Sequence, residues 1–87
     1  MKVAVYDTYV TKKDGTIMHF DILVPDTVSD TEIIYGFGKK YLLHKNQEGQ
    51  PLSTSECRLC HIEEATENMV QDIKQQGFSI IEMQGCN

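Results

Sequence analysis

Residues Lys2 to Val10 alternate apolar and polar positions and are rich in Val, Thr and Tyr, and Thr16 to Val24 repeats the pattern. A period of two predicts strands with one face packed and the other less so. Lys12-Lys13-Asp14-Gly15 separates the two runs. Asp-Gly at that place predicts a hairpin closed by a tight turn, because both central residues of a type I′ turn need positive φ. With Asp14 and Gly15 as a two-residue loop, odd positions of the first strand share a face with even positions of the second. That face holds Val3, Val5, Asp7, Tyr9, Met18, Phe20, Ile22 and Val24 and is predicted to meet the core, with Asp7 as its charged member. The opposite face holds Ala4, Tyr6, Thr8, Val10, Ile17, His19, Asp21 and Leu23 and is mixed.

Pro25-Asp26 ends the second strand. Ser29-Asp30-Thr31-Glu32 has the form of a capping box, with Val28 and Ile33 placed as a hydrophobic staple. A helix is predicted from there to about Lys45, with Ile33, Ile34, Phe37, Tyr41 and Leu42 as its apolar stripe. Gly36 and Gly38 inside it weaken the helix or allow it to pack closely. The stretch from Asn46 to Pro51 is a loop by composition. Thr66 caps a second helix carrying Met69, Val70 and Ile73, Gly77 stops it, and Phe78 to Met83 is a short apolar strand. If the segment from Cys57 to Glu63 is extended, the order is ββαβαβ. The predicted fold is α+β: a two-layer sandwich with a four-stranded mixed sheet that begins with an antiparallel hairpin, and two helices on one face.

A chain of 87 residues, 40% hydrophobic and 24% charged, predicts one globular domain over 1–87. Its 13 acidic against 8 basic residues give a net charge of −5, which disfavours a nucleic-acid ligand and an anionic membrane surface. No apolar run approaches the roughly 18 residues that cross a bilayer. Met1-Lys2-Val3-Ala4-Val5-Tyr6-Asp7 lacks the apolar stretch of an export signal, so a cytoplasmic protein is expected. In that compartment the 3 cysteines are expected as thiols or metal ligands.

Cys57-Arg58-Leu59-Cys60-His61 fits C-x-x-C-H. Covalent haem fits the pattern, but its attachment follows export. Zinc would take Cys57, Cys60 and His61, with Cys86 or His19 completing a tetrahedron. Thiol redox chemistry needs the first cysteine at a helix N-terminus, which Ser53-Thr54-Ser55-Glu56 would have to start. The plainest reading is a strand containing small buried residues. Extension points Cys57, Leu59 and His61 one way and Arg58, Cys60 and Ile62 the other, with the two cysteine Cα atoms about 10 Å apart. The segment is read as a strand, against joint chelation and against a disulfide.

His19 and Asp21 share a strand face, and Thr8 is expected across the hairpin from them. Those three residues form a candidate ligand or partner face. A His–Asp pair can orient an imidazole as a general base, but no serine or cysteine nucleophile can be placed beside it.

Three blocks in order are similar to one family: Val5-Tyr6-Asp7-Thr8-Tyr9-Val10, then His19-Phe20-Asp21-Ile22 through Val24-Pro25-Asp26, then Glu56-Cys57 with Cys60-His61-Ile62-Glu63. They resemble the small bacterial domain-of-unknown-function family numbered 2024. The resemblance implies a small single-domain α/β protein without an assigned activity or established functional residues. The expectation from the residues is a cytoplasmic binding or regulatory module for a protein or small molecule, without catalysis or a cofactor. The alternative is a zinc-binding or thiol-redox protein using Cys57, Cys60, His61 and Cys86. Unpaired edges on so small a sheet also admit a homodimer.

Overall fold

The computed structural model describes residues 1–86. Its elements are β1 (Lys2–Thr11), β2 (Ile17–Pro25), α1 (Thr31–His44), β3 (Cys57–Glu64), α2 (Glu67–Gln76) and β4 (Ser79–Gln84), in the expected order. The four strands form one sheet in the order β3-β1-β2-β4. Every pairing is antiparallel, so the sheet is not the mixed one expected. Each helical connection delivers its strand to an outer edge of the central hairpin, beside a strand that runs the opposite way.

The hairpin differs from expectation by one residue. Lys12 N donates to Thr16 O at 2.7 Å and Gly15 N to Lys12 O at 2.9 Å. Lys13, Asp14 and Gly15 therefore make a three-residue loop, with Gly15 at φ +89°. The Asp14 carboxylate accepts from Thr16 N at 3.0 Å and from Thr16 Oγ1 at 2.7 Å, locking the loop. The resulting register sets Tyr6 opposite Ile22, Asp7 opposite Asp21, Thr8 opposite Phe20 and Tyr9 opposite His19. One extra loop residue turns the whole of β2 over relative to β1.

One face of the hairpin thus carries Ala4, Tyr6, Val10, Met18, Phe20, Ile22 and Val24, packed with Ile34, Tyr41 and Leu42 of α1. The other carries Val3, Val5 and Leu23, packed with Met69 and Ile73 of α2. The helices lie on opposite faces of the sheet, not on one. Both faces of the central strands are apolar over part of their length, and each needs its own cover.

The helices begin and end for local reasons. Asp30, not Ser29, caps α1: its carboxylate accepts from Glu32 N at 3.0 Å. That start turns Ile33 to solvent and Ile34, Tyr35, Gly38, Tyr41 and Leu42 inward, so the expected staple is not made. Gly38 is a point of close approach, since a Cβ there would lie 2.6 Å from Leu52 Cδ1 and 3.0 Å from Ile22 Cδ1. Thr66 caps α2 through Met69 N, and Gly77 ends it in the left-handed region, both as expected. No helix among the described residues is long and apolar enough to cross a membrane.

Candidate functional site

On the α2 side of the sheet the apolar patch stops at Val5 and Leu23. Beyond it, toward the hairpin turn, the two central strands present Asp7, Tyr9, His19 and Asp21. His19 Nε2 lies 2.5 Å from Asp7 Oδ1 and 4.0 Å from Asp21 Oδ1. The Tyr9 ring stacks on the His19 imidazole at 4.0 Å, with the planes 11° apart. The side chains of His19 and Asp21 are 18% and 16% exposed, and that of Asp7 is 37% exposed. Burial holds the Asp21 carboxyl above its usual range; the charge of Asp7 and a hydrogen bond with it act the same way, and His19 and His61 oppose them.

His19 and Asp21 are therefore together, as the sequence suggests, but Thr8 is not with them. Thr8 is fully buried in the α1 layer, where its hydroxyl donates to Tyr6 O at 3.1 Å and approaches Cys57 Sγ at 3.4 Å. Asp7, expected on the core face, takes the place assigned to Thr8. The three-residue loop makes both changes at once.

The segment from Cys57 is a strand, as read from the sequence, with one irregularity. Val5 pairs with His61 and Tyr6 with Leu59, so Cys60 is the extra residue of a bulge. Cys57 and Leu59 follow Thr8 and Tyr6 in register, whereas Arg58 and His61 follow Asp7 and Val5 on the opposite face. Cys57 is buried, which pushes its thiol pKa up, while Cys60 is exposed. His61 Nε2 lies 2.6 Å from Glu63 Oε1. Cys86 follows β4, at the sheet edge opposite β3, and its thiol donates to His19 O at 3.3 Å. Cys57, Cys60, His61 and Cys86 are thus dispersed. Among the described residues, the three potential ligands that converge are Asp7, His19 and Asp21. Ser53 and Glu56 do bond, with Glu56 Oε1 accepting from Ser53 N at 2.9 Å, but they close a turn into β3 and start no helix.

This distribution of thiols sets an order of reactivity. Cys60 is expected to react with a maleimide at the rate of an open thiol, while Cys57 and Cys86 are slow until the chain unfolds. Counting modified thiols by mass against time checks this: one fast equivalent is expected in the folded protein and three in urea.

The architecture is that of a small α+β protein whose antiparallel sheet carries a compact acid–histidine cluster on its two central strands. The chain belongs to the domain-of-unknown-function family DUF2024, which matches residues 1–83. It is similar to protein NE1680 from Nitrosomonas europaea, whose structure was determined by NMR. The two share 44% sequence identity with all of each chain covered, and superpose with a TM-score of 0.83. A comparison with curated proteins found no match.

Proposed function

We propose that the protein is a small binding module without catalytic activity of its own. Its working surface is the open part of the sheet that carries Asp7, His19 and Asp21, and its ligand is cationic. The observation that carries this reading is the Asp7–Asp21 pair, directly opposed on the two central strands. Like charges in that relation destabilise a sheet. His19 lies close to one of the two carboxylates, and the other is held partly out of water with its charge opposed. A pair that works against the fold suits a surface that receives a positive group.

The bond between His19 and Asp7 resembles the support of a general base, but the Thr8 hydroxyl lies in the other layer. Binding is therefore the better reading of the cluster. The β3 edge suits a partner less well, because the bulge at Cys60 interrupts the ladder that an added strand would follow. A cytoplasmic setting agrees with three unpaired thiols.

Substituting Asp21→Asn tests the reading. It keeps the shape and removes the repulsion and the burial of charge. In metal-free buffer the variant is expected to be more stable than the wild type by about 0.2–1 kcal/mol, seen as a higher thermal midpoint. A lower midpoint would mean that the carboxylate serves the fold, and the proposal would fall.

A further inference from the structure

We propose that Asp7, His19 and Asp21 form a site for one divalent transition metal ion, with zinc as the best match. This deepens the reading of the face as a cation-binding surface and rests on it. The three donor atoms all lie within 4.8 Å of one another. Ligands about 2.1 Å from a tetrahedral zinc ion are about 3.4 Å apart. The observed separations from His19 Nε2, 2.5 and 4.0 Å, fall on either side of that value. Small side-chain rotations on fixed strands would even them out.

The donor set selects the kind of ion. Carboxylates alone favour magnesium or calcium, and thiolates favour soft ions. One imidazole with two carboxylates suits a borderline ion such as zinc, and the two carboxylates match its charge. The support is rigid for so small a protein. Two short aspartate side chains rise from paired central strands, and Tyr9 holds the plane of the imidazole. Asp7 is open enough for water to complete the coordination.

The neighbouring charges leave the site available. Arg58 stands beside Asp7 in register, but its guanidinium donates to Thr54 O at 3.4 Å. His61, on the same face, is engaged by Glu63. The C-x-x-C-H segment has the sequence pattern of a zinc site, yet its side chains diverge, and the converging set lies on the hairpin.

The experiment is a calorimetric titration of chelator-treated full-length protein with zinc, followed by absorbance of the cobalt-loaded form. One zinc per chain is expected, with a cobalt spectrum free of thiolate-to-metal charge transfer. Asp7→Asn and His19→Gln are each expected to weaken zinc binding at least tenfold, and Cys60→Ser to leave it unchanged. Amide spectra establish that each variant folds, and either of the two ligand variants suffices. A thiolate band in the cobalt spectrum overturns the proposal, as does undiminished affinity in the ligand variants. Absence of zinc binding overturns it too. If Asp21→Asn still stabilises the metal-free protein in that case, the cation-binding surface stands and its ligand is another cation. If it destabilises, both readings fall.

Discussion

Deletion of Lys13 is expected to leave a cooperatively unfolding protein with the native pairing of its two central strands. The deletion leaves Asp14-Gly15 as the two-residue loop that a type I′ turn accepts, and Lys12 stays opposite Thr16, so every pair of the hairpin is kept. The alternative in the intact chain, a slip that sets Lys13 opposite Thr16, would turn β2 over relative to β1. Met18, Phe20, Ile22 and Val24, each at most 1% exposed in the native protein, would leave the α1 layer. Burying such side chains contributes about 1.5–3 kcal/mol each, so on the order of 6–12 kcal/mol is at stake. The net stability of a small domain is only about 5–15 kcal/mol. Lys13→Ala is the control. It keeps the loop length and removes an exposed ion pair with Glu48 at 2.9 Å, which is worth little. That variant is expected to unfold within about 0.5 kcal/mol of the wild type. Urea denaturation followed by circular dichroism checks both; loss of the cooperative transition on deletion would show that the third loop residue, and not the burial of both faces, holds the register.

The same loop explains how far the sequence could be read. Local signals were legible because they are local: the alternation of β1 and β2, the Thr66 cap, the Gly77 stop and the extended run from Cys57 each depend on a few neighbouring residues. The relation between the two hairpin strands depends instead on whether Lys13 belongs to strand or loop, and Lys-Lys-Asp-Gly is compatible with either. One signal could have decided it. Pairing even with even positions gathers Ala4, Tyr6, Val10, Met18, Phe20, Ile22 and Val24 into one apolar face, with Thr8 as its lone polar member. The charged and titratable residues Asp7, His19 and Asp21 then fall together on the other. A two-residue loop leaves Asp7 on a core face without a partner, which is the costlier arrangement. The placement of α2 on the second face follows from the same register, because Val3, Val5 and Leu23 then need cover. The bulge at Cys60 was not legible, since nothing in Arg58-Leu59-Cys60-His61 distinguishes a bulged strand from a regular one. It matters because it sends His61 and Cys57 to opposite faces of the sheet.

Phe20→Ala is expected to cost about 3–5 kcal/mol, toward the upper end of that range. The ring is fully buried and its centroid lies 4.5 Å from that of Tyr41. The loss depends on how far the surroundings can close on the space left behind. Here the main neighbour cannot follow. The Tyr41 hydroxyl donates to Glu82 Oε2 at 2.5 Å, and Lys45 Nζ is 2.7 Å from the same carboxylate oxygen. Tyr41 is thus tethered to β4 from the far side of the cavity. Burial and the bond to Glu82 hold its phenol strongly toward the protonated form, so the hydroxyl remains a donor across the working pH range. Phe20→Leu leaves a smaller space and is expected to lose less. The substitution also reaches the opposite face, because Phe20 lies between His19 and Asp21 on the same strand. Anchoring of the ring in the α1 layer fixes the height of β2, and with it the separation of the two side chains from Asp7. A folded Phe20→Ala protein is therefore expected to bind zinc more weakly than the wild type, although no ligand has been removed. Urea denaturation and the zinc titration on one preparation measure both effects. A stability loss below about 1 kcal/mol would mean that Tyr41 relaxes into the space after all.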